Sequence, residues 1–123
     1  NAAIGCAQLE QMPSFLKRKR MLSDYYAEAF AAIDGVDFFS EPEECQSNYW
    51  LNVILLEDAS PSLRDSVLEK LNREKLMSRP AWRPSHRLPM YFDAPRDDLS
   101  ITENLYARLI NIPSSPALVS GNE

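Results

Sequence analysis

Residues 49–56 read Tyr-Trp-Leu-Asn-Val-Ile-Leu-Leu and are apolar at every position except Asn52. Because successive side chains of a strand point to opposite faces, this pattern predicts a central strand that is buried on both sides. Shorter strand candidates lie at residues 36–39 and 76–78, and residues 110–113 are predicted to be a last strand or a turn. The rest of the chain is therefore predicted to pack around a small sheet that contains residues 49–56.

The N-terminal third of the chain predicts a long helix. Apolar residues recur at roughly helical spacing over residues 15–33, and residues 2–12 are small and apolar on nearly every face. A helix that is hydrophobic all round needs burial on all sides, so we expect this segment to pack against part of a larger protein. Pro13 predicts a boundary or a kink, and Gly35 ends the helix because glycine accepts the left-handed conformation.

Two further helices complete the predicted fold. Ser60 and Pro61 provide the N-cap and the first-turn proline of one helix. Ser100 and Glu103 have the spacing of a capping box for the other helix. Residues 114–123 are predicted to be a fraying tail. The order of elements predicts an α+β fold, in which a long N-terminal helix and further helices pack on a small sheet.

The composition excludes several classes of protein. The chain has 123 residues, enough for about one domain, and its net charge of −5 argues against a general nucleic-acid binder. No run approaches 18 apolar residues, so no membrane segment is predicted. The single histidine gives no zinc site, and Cys6 and Cys45 indicate reduced thiols in a cytoplasmic protein.

One segment departs from the acidic balance of the chain, and we call residues 79–91 the basic arm. It reads Arg-Pro-Ala-Trp-Arg-Pro-Ser-His-Arg-Leu-Pro-Met-Tyr and holds three arginines and the only histidine. No carboxylate occurs between Glu74 and Asp93, and the prolines of the arm favour extended backbone. The basic arm is therefore predicted to face an anion, and a solvated loop is the alternative.

Four side chains of the basic arm are candidate ligand contacts. Arg79 suits a phosphate, because a guanidinium group binds oxyanions with two hydrogen bonds; the alternative is an ion pair with the acidic loop at residues 41–44. His86 either donates one hydrogen bond to a phosphate or sugar hydroxyl, or caps a loop. Trp82 and Tyr91 either stack on a base or sugar, or pack against neighbouring residues, which is the commoner role.

Catalytic machinery is not evident in the sequence. Its three glycines cannot build a glycine-rich phosphate loop, and Ser85 beside His86 lacks the glycine elbow that surrounds a hydrolase nucleophile. We therefore predict no catalytic residue and no metal ligand in this chain.

Four segments in order, residues 1–11, 47–52, 79–91 and 110–115, resemble the C-terminal part of the DegT/StrS family of sugar aminotransferases. The LegC-like enzymes are the most similar branch, and the resemblance covers nearly the whole chain. It implies that residues 1–123 form the single small C-terminal domain of a fold-type-I aminotransferase. The large domain, which binds pyridoxal phosphate (PLP), is then absent from this sequence.

The resemblance also implies an activity. Such enzymes use PLP to convert a nucleotide-linked keto-deoxysugar to an amino sugar, usually with glutamate as amino donor, in surface polysaccharide or nonulosonic-acid biosynthesis. A cytoplasmic homodimer with neither nucleic acid nor membrane as a partner is expected. Arg79, His86 and Tyr91 are carried over as substrate contacts, with Trp82 as a weaker candidate.

The cofactor-binding lysine of the family belongs to the large domain. The four lysines of this chain lack the expected sequence setting, so we expect the chain alone to be inactive and to bind no PLP. In the family a glycine often occupies the position of Lys75. A left-handed turn would cost a lysine about 1 kcal/mol, so the local turn is expected to differ.

Two other functions remain open at this point. The basic arm is also compatible with a non-catalytic anion-binding module. The apolar residues 2–12 are also compatible with a dimerisation module.

Overall fold

The structure, a computed structural model, describes residues 1–119 and contains three α-helices and four strands within them. The helices are α1 (Ala2–Phe30), α2 (Pro61–Arg73) and α3 (Ser100–Arg108), and the strands are β1 (Val36–Phe38), β2 (Asn52–Leu56), β3 (Arg79–Pro80) and β4 (Leu109–Ile112). All strand pairs are antiparallel, in the order β1-β2-β4-β3. The predicted α+β fold is confirmed.

The hydrophobic core lies on one face of this sheet. On β2, Ile54 and Leu56 are buried, and Ile110 of β4, which pairs with Ile54, is fully buried. Tyr26 and Phe30 of α1 pack against this cluster, and Leu68 of α2 belongs to it. Both helices therefore cover the same face of the sheet.

The prediction for residues 49–56 is correct in its centre and wrong at its start. The strand begins at Asn52, because Tyr49 has a φ of 46° in the left-handed region, which interrupts extended backbone. One face of β2 is buried, whereas Val53 and Leu55 on the other face are only partly buried. Burial on both sides is thus not complete within the described chain.

Helix α1 is continuous through Pro13, so the predicted boundary is absent. A proline inside a helix removes one backbone hydrogen bond, and the 29-residue length of α1 tolerates that loss. The helix ends at Phe30, before its predicted end at Gly35, and Gly35 has the expected left-handed φ of 82° in the turn that follows. The N-terminal half is exposed rather than buried: Ile4 and Leu9 are 67% and 68% exposed, because no described element covers them.

Two predicted boundaries at helix and strand ends are wrong. The strand expected at residues 76–78 lies instead at Arg79–Pro80, on the edge of the sheet, where a proline without an N–H group is tolerated. The capping box is absent because Leu99 is the N-cap of α3. The Ser100 N–H donates to Asp98 at 3.1 Å, and Glu103 is used elsewhere.

The predicted fraying of the C-terminal segment is not found for residues 114–119. Ser114 Oγ accepts a hydrogen bond from the Asn52 N–H at 2.7 Å. A 3₁₀ helix at Pro116–Leu118 then packs beside α1. Residues 120–123, the rest of the predicted tail, lie outside the described residues.

The turn after α2 is left-handed, contrary to the expectation for Lys75. Lys75 has a φ of 64°. Its N–H donates to the Asn72 carbonyl at 3.0 Å, and the Leu76 N–H donates to the Leu71 carbonyl at 2.9 Å. These two bonds form a Schellman motif, which satisfies the last carbonyl groups of the helix. The chain therefore keeps the turn and accepts the strain at Lys75.

Replacing Lys75 with glycine is expected to raise the free energy of unfolding by about 1 kcal/mol, because glycine adopts a positive φ without strain. Lys70→Gly, inside the same helix, is the matched control and should lower it by about 1 kcal/mol. Urea unfolding of the three proteins measures both changes. A loss of stability in Lys75→Gly would show that this turn is not strained.

Candidate functional site

The basic arm starts on the sheet and continues as two tight turns. Arg79 and Pro80 form β3, and the Asn111 side-chain amide donates to their carbonyls at 3.4 and 3.1 Å. Two 3₁₀ helices follow, at Ser85–Arg87 and Pro89–Tyr91. The start of the arm is thus anchored to β4, and the predicted extended backbone is found there and again at Leu88, between the two 3₁₀ helices.

Arg79 is exposed and makes no salt bridge to any residue from 1 to 119. In the acidic loop, which was the alternative partner, Glu41 binds Arg20 at 2.7 Å, and neither Glu43 nor Glu44 forms a salt bridge with Arg79. The Arg20 hydrogen bond, followed by that of the Ser47 N–H, holds the pKa of the Glu41 carboxyl below its usual value. Arg79 lines a surface groove of about 450 Å³ together with Lys75. This groove carries two cationic side chains among a mainly apolar lining.

His86 and Arg87 share one carboxylate, that of Glu103 on α3. His86 Nε2 contacts Glu103 Oε1, which also accepts a hydrogen bond from Arg87 Nε at 2.9 Å. A second guanidinium nitrogen of Arg87 bonds Glu103 Oε2. The hydrogen bonds from Arg87 and then His86 lower the pKa of the Glu103 carboxyl. The positive charge of the basic arm is thus partly neutralised from outside the arm.

Tyr91 lies near His86 in a second surface groove, of about 530 Å³. Arg96 and Thr102 also line this groove, and the exposed Tyr91 side chain contributes to its wall. The structure therefore brings His86 and Tyr91 together. Arg79 lines the other groove.

Trp82 of the basic arm stacks on Trp50, which lies outside the arm. The two ring centroids are 5.9 Å apart and the ring planes differ by 28°. Both side chains stay largely exposed, Trp82 at 73% and Trp50 at 65%. Trp82 therefore has a packing partner, and the pair still presents aromatic surface to solvent.

Lys19 organises the loop that carries Trp50. The sequence predicts that Arg18 or Lys19 points towards the apolar stripe of α1 while its charge reaches water. Instead, Lys19 Nζ donates to the carbonyls of Tyr49, Trp50 and Ser114, at 2.8, 3.2 and 2.8 Å. Burial lowers the pKa of the Lys19 amine. These bonds join α1 to the loop before β2 and to the segment after β4.

Lys19 does not fit the role of holding PLP. A lysine that binds a carbonyl cofactor covalently needs an amine free for that bond. The three N–H groups of Lys19 are used by backbone carbonyls, and Lys17, Lys70 and Lys75 are exposed.

Residues 1–119 contain no group of three or more His, Cys, Asp or Glu side chains arranged for a metal ion. No described helix is both long and apolar enough to cross a membrane.

Sequence reasoning missed Glu103 and Trp50 as members of this region. The spacing of Glu103 from Ser100 suggested a capping box, and its partners lie 16 and 17 residues earlier in the chain. Trp50 was included in the predicted strand, but it precedes β2 and its ring is exposed. The absence of carboxylates from the arm was a usable signal for Glu103, because a cluster of cations often takes its counter-ion from another element.

Comparison with known proteins places these features in a family. The model of the DegT/DnrJ/EryC1/StrS aminotransferase family matches residues 1–122. GDP-perosamine synthase of Escherichia coli O157:H7 is 36% identical over 119 residues, which are 95% of this chain and 31% of that protein.

Solved structures show the same fold. DesI, determined in the presence of its TDP-sugar product, superposes with a TM-score of 0.83 at 29% identity, over 94% of this chain and 30% of DesI. Spr1654 of Streptococcus pneumoniae in its PLP form has a TM-score of 0.83 at 23% identity, over 97% of this chain and 31% of that chain. The chain thus spans about three tenths of the length of these relatives. On the match over residues 1–122, the chain belongs to the DegT/DnrJ/EryC1/StrS aminotransferase family.

Proposed function

We propose that the whole protein is a PLP-dependent aminotransferase that converts a nucleotide-linked keto-deoxysugar to an amino sugar, with glutamate as amino donor. We assign it to the LegC-like branch and to surface polysaccharide or nonulosonic-acid biosynthesis, as a cytoplasmic homodimer. The present chain is its small C-terminal domain. The family match over residues 1–122 carries this proposal, and a GDP-sugar enzyme and DesI with its TDP-sugar product are among the relatives.

In this proposal the basic arm binds the nucleotide-sugar substrate. Arg79 is exposed beside Lys75, so it is available for the diphosphate, which is a polyanion. His86 and Tyr91 share the second groove and take the sugar. Trp82, on its stack with Trp50, contributes a flat aromatic surface for the base or the sugar ring.

The remaining part of the protein supplies the cofactor site. PLP provides the electron sink that transamination needs. Because the amine of Lys19 is used by three carbonyls and the other lysines lie on the surface, we assign the cofactor-binding lysine to the large domain. The chain of 123 residues is therefore expected to be inactive by itself.

Product formation tests the proposal. The intact protein is mixed with PLP, glutamate and GDP-, TDP- or UDP-linked keto-deoxysugars, and the products are identified by mass spectrometry. We expect an amino sugar from at least one nucleotide series, and none from the 123-residue chain under the same conditions. Failure with all three series would contradict the proposal.

The exposed pair of cations at Arg79 and Lys75 favours a second candidate, a non-catalytic anion-binding module. Titration of the 123-residue chain with a nucleotide sugar, with Arg79→Ala as control, distinguishes this module from a domain of an aminotransferase. Tight binding that depends on Arg79 favours a self-sufficient module. Very weak binding agrees with a half-site that the large domain completes.

The exposed apolar half of α1, with Ile4 and Leu9, favours a third candidate, a dimerisation module. Sedimentation of the 123-residue chain tests it. A folded monomer would count against this candidate.

A further inference from the structure

Glu103 is held in place from two directions before any ligand binds. Its backbone belongs to α3, and Arg87 donates to both of its carboxylate oxygens. Arg87 in turn lies over the ring of Tyr106, with 4.9 Å between the guanidinium carbon and the ring centroid. Arg64 of α2 lies 5.1 Å from the same ring centroid and donates to the Tyr106 carbonyl at 2.6 Å. The carboxylate is therefore fixed by Arg87 of the arm, whose guanidinium group packs on the Tyr106 ring that Arg64 of α2 also contacts.

This fixed carboxylate determines how His86 is oriented. The His86 side chain is only 16% exposed, and its Nε2 contacts Glu103 Oε1. One ring nitrogen is thus engaged inside the protein, and Nδ1 is the nitrogen left for a ligand. His86 lines the groove that also contains Tyr91 and Thr102, the residue next to Glu103. His86 therefore bonds Glu103 through one ring nitrogen and lines the groove at the same time.

We propose that Glu103 is a positioning residue for His86: it holds Nε2 and presents Nδ1 to the sugar in the groove. This inference rests on the proposed function for the identity of the ligand. In a neutral imidazole whose Nε2–H donates to a carboxylate, Nδ1 can only accept a hydrogen bond. For this neutral ring the complementary group is a hydroxyl or amino group of the sugar, because an ionised phosphate oxygen has no proton to donate to Nδ1.

Imidazole NMR tests the geometry without any substrate. His86 is the only histidine, so ¹⁵N-histidine labelling of the 123-residue chain gives one imidazole. At a pH where the spectrum shows a neutral ring, we expect the Nε2–H tautomer alone. Glu103→Ala should produce a mixture with Nδ1–H, and Glu103→Gln, whose amide oxygen still accepts, should restore the single tautomer.

Glu69→Ala is the matched control, because Glu69 also binds an arginine, Arg73 at 2.6 Å, but is exposed on α2 and does not line the groove. It should leave the imidazole spectrum unchanged. An Nδ1–H tautomer in the parent chain, or an unchanged spectrum in Glu103→Ala, would overturn the inference.

Kinetics of the intact protein give the second measurement. Glu103→Ala is expected to lower kcat/KM for the nucleotide sugar by about tenfold, since the hydrogen-bonded orientation of one contact is lost. When His86 is already replaced by alanine, Glu103→Ala should not lower kcat/KM any further. A full additional loss there would show that Glu103 acts independently of His86. An inactive parent protein would reject the proposed function, whereas the tautomer result would still stand.

Discussion

Arg79→Ala in the intact protein is expected to raise the KM for the nucleotide sugar by about 10- to 150-fold and to change kcat little. This range corresponds to the loss of about 1.5–3 kcal/mol, the contribution of a hydrogen bond to a charged group, at a guanidinium group that is suited to bind a diphosphate. Arg79 has no carboxylate partner among residues 1–119, so no ion pair with these residues competes with the ligand. A contact far from the reacting carbon stabilises ground and transition states alike, which affects KM and not kcat.

Two variants serve as controls for Arg79. Arg79→Lys keeps the charge and loses the two-pronged geometry, so its KM should fall between the parent and the alanine variant. Arg73→Ala removes an exposed arginine that binds Glu69, and its KM should equal that of the parent. Steady-state kinetics over a range of nucleotide-sugar concentrations measure all three. An unchanged KM in Arg79→Ala would remove Arg79 from the site.

Lys19→Met is expected to lower the free energy of unfolding by about 2–4 kcal/mol, because three charge-assisted hydrogen bonds are lost and carbonyl acceptors lose their partner. Methionine keeps most of the aliphatic stem, so packing against α1 is largely preserved. The change should also loosen the loop that carries Trp50, since two of the three carbonyls belong to Tyr49 and Trp50. Urea unfolding followed by tryptophan fluorescence reports both effects.

Lys17→Met is the matched control for Lys19. Lys17 lies two residues earlier on α1 and is exposed, so its replacement should stay within about 0.5 kcal/mol of the parent. Equal stability of the two variants would show that the carbonyl contacts of Lys19 contribute nothing measurable.

The parts of the fold that follow from local patterns were predictable. The apolar run that contains β2 and the alternation in β4 place the core strands, since burial on a sheet face has a period of two. Helix α2 starts where Ser60 and Pro61 indicate, and Ser60 Oγ accepts the Leu63 N–H at 3.3 Å. Each of these signals lies within a few residues of the structure that it predicts.

The errors at Glu103 and Lys19 concern contacts between distant residues, whereas the error at Lys75 is local. Glu103 three residues after Ser100 is equally compatible with a capping box, and only the fold brings it to His86, 17 residues away. Lys19 looked like a surface cation because its carbonyl partners lie 30, 31 and 95 residues away. Lys75 adopts the left-handed turn because two backbone hydrogen bonds offset its strain. The sequence shows which residues of the basic arm carry charge. It does not show that Arg87 pairs with Glu103 while Arg79 has no carboxylate partner among residues 1–119.

The central claim is that the basic arm faces a nucleotide-linked sugar, and a crystal structure of the intact protein with its amino-sugar product bound tests it most directly. The account expects the Arg79 guanidinium within hydrogen-bond distance of a diphosphate oxygen, and His86 Nδ1 and Tyr91 against the sugar. A product bound with no contact to any of residues 79–91 would contradict it.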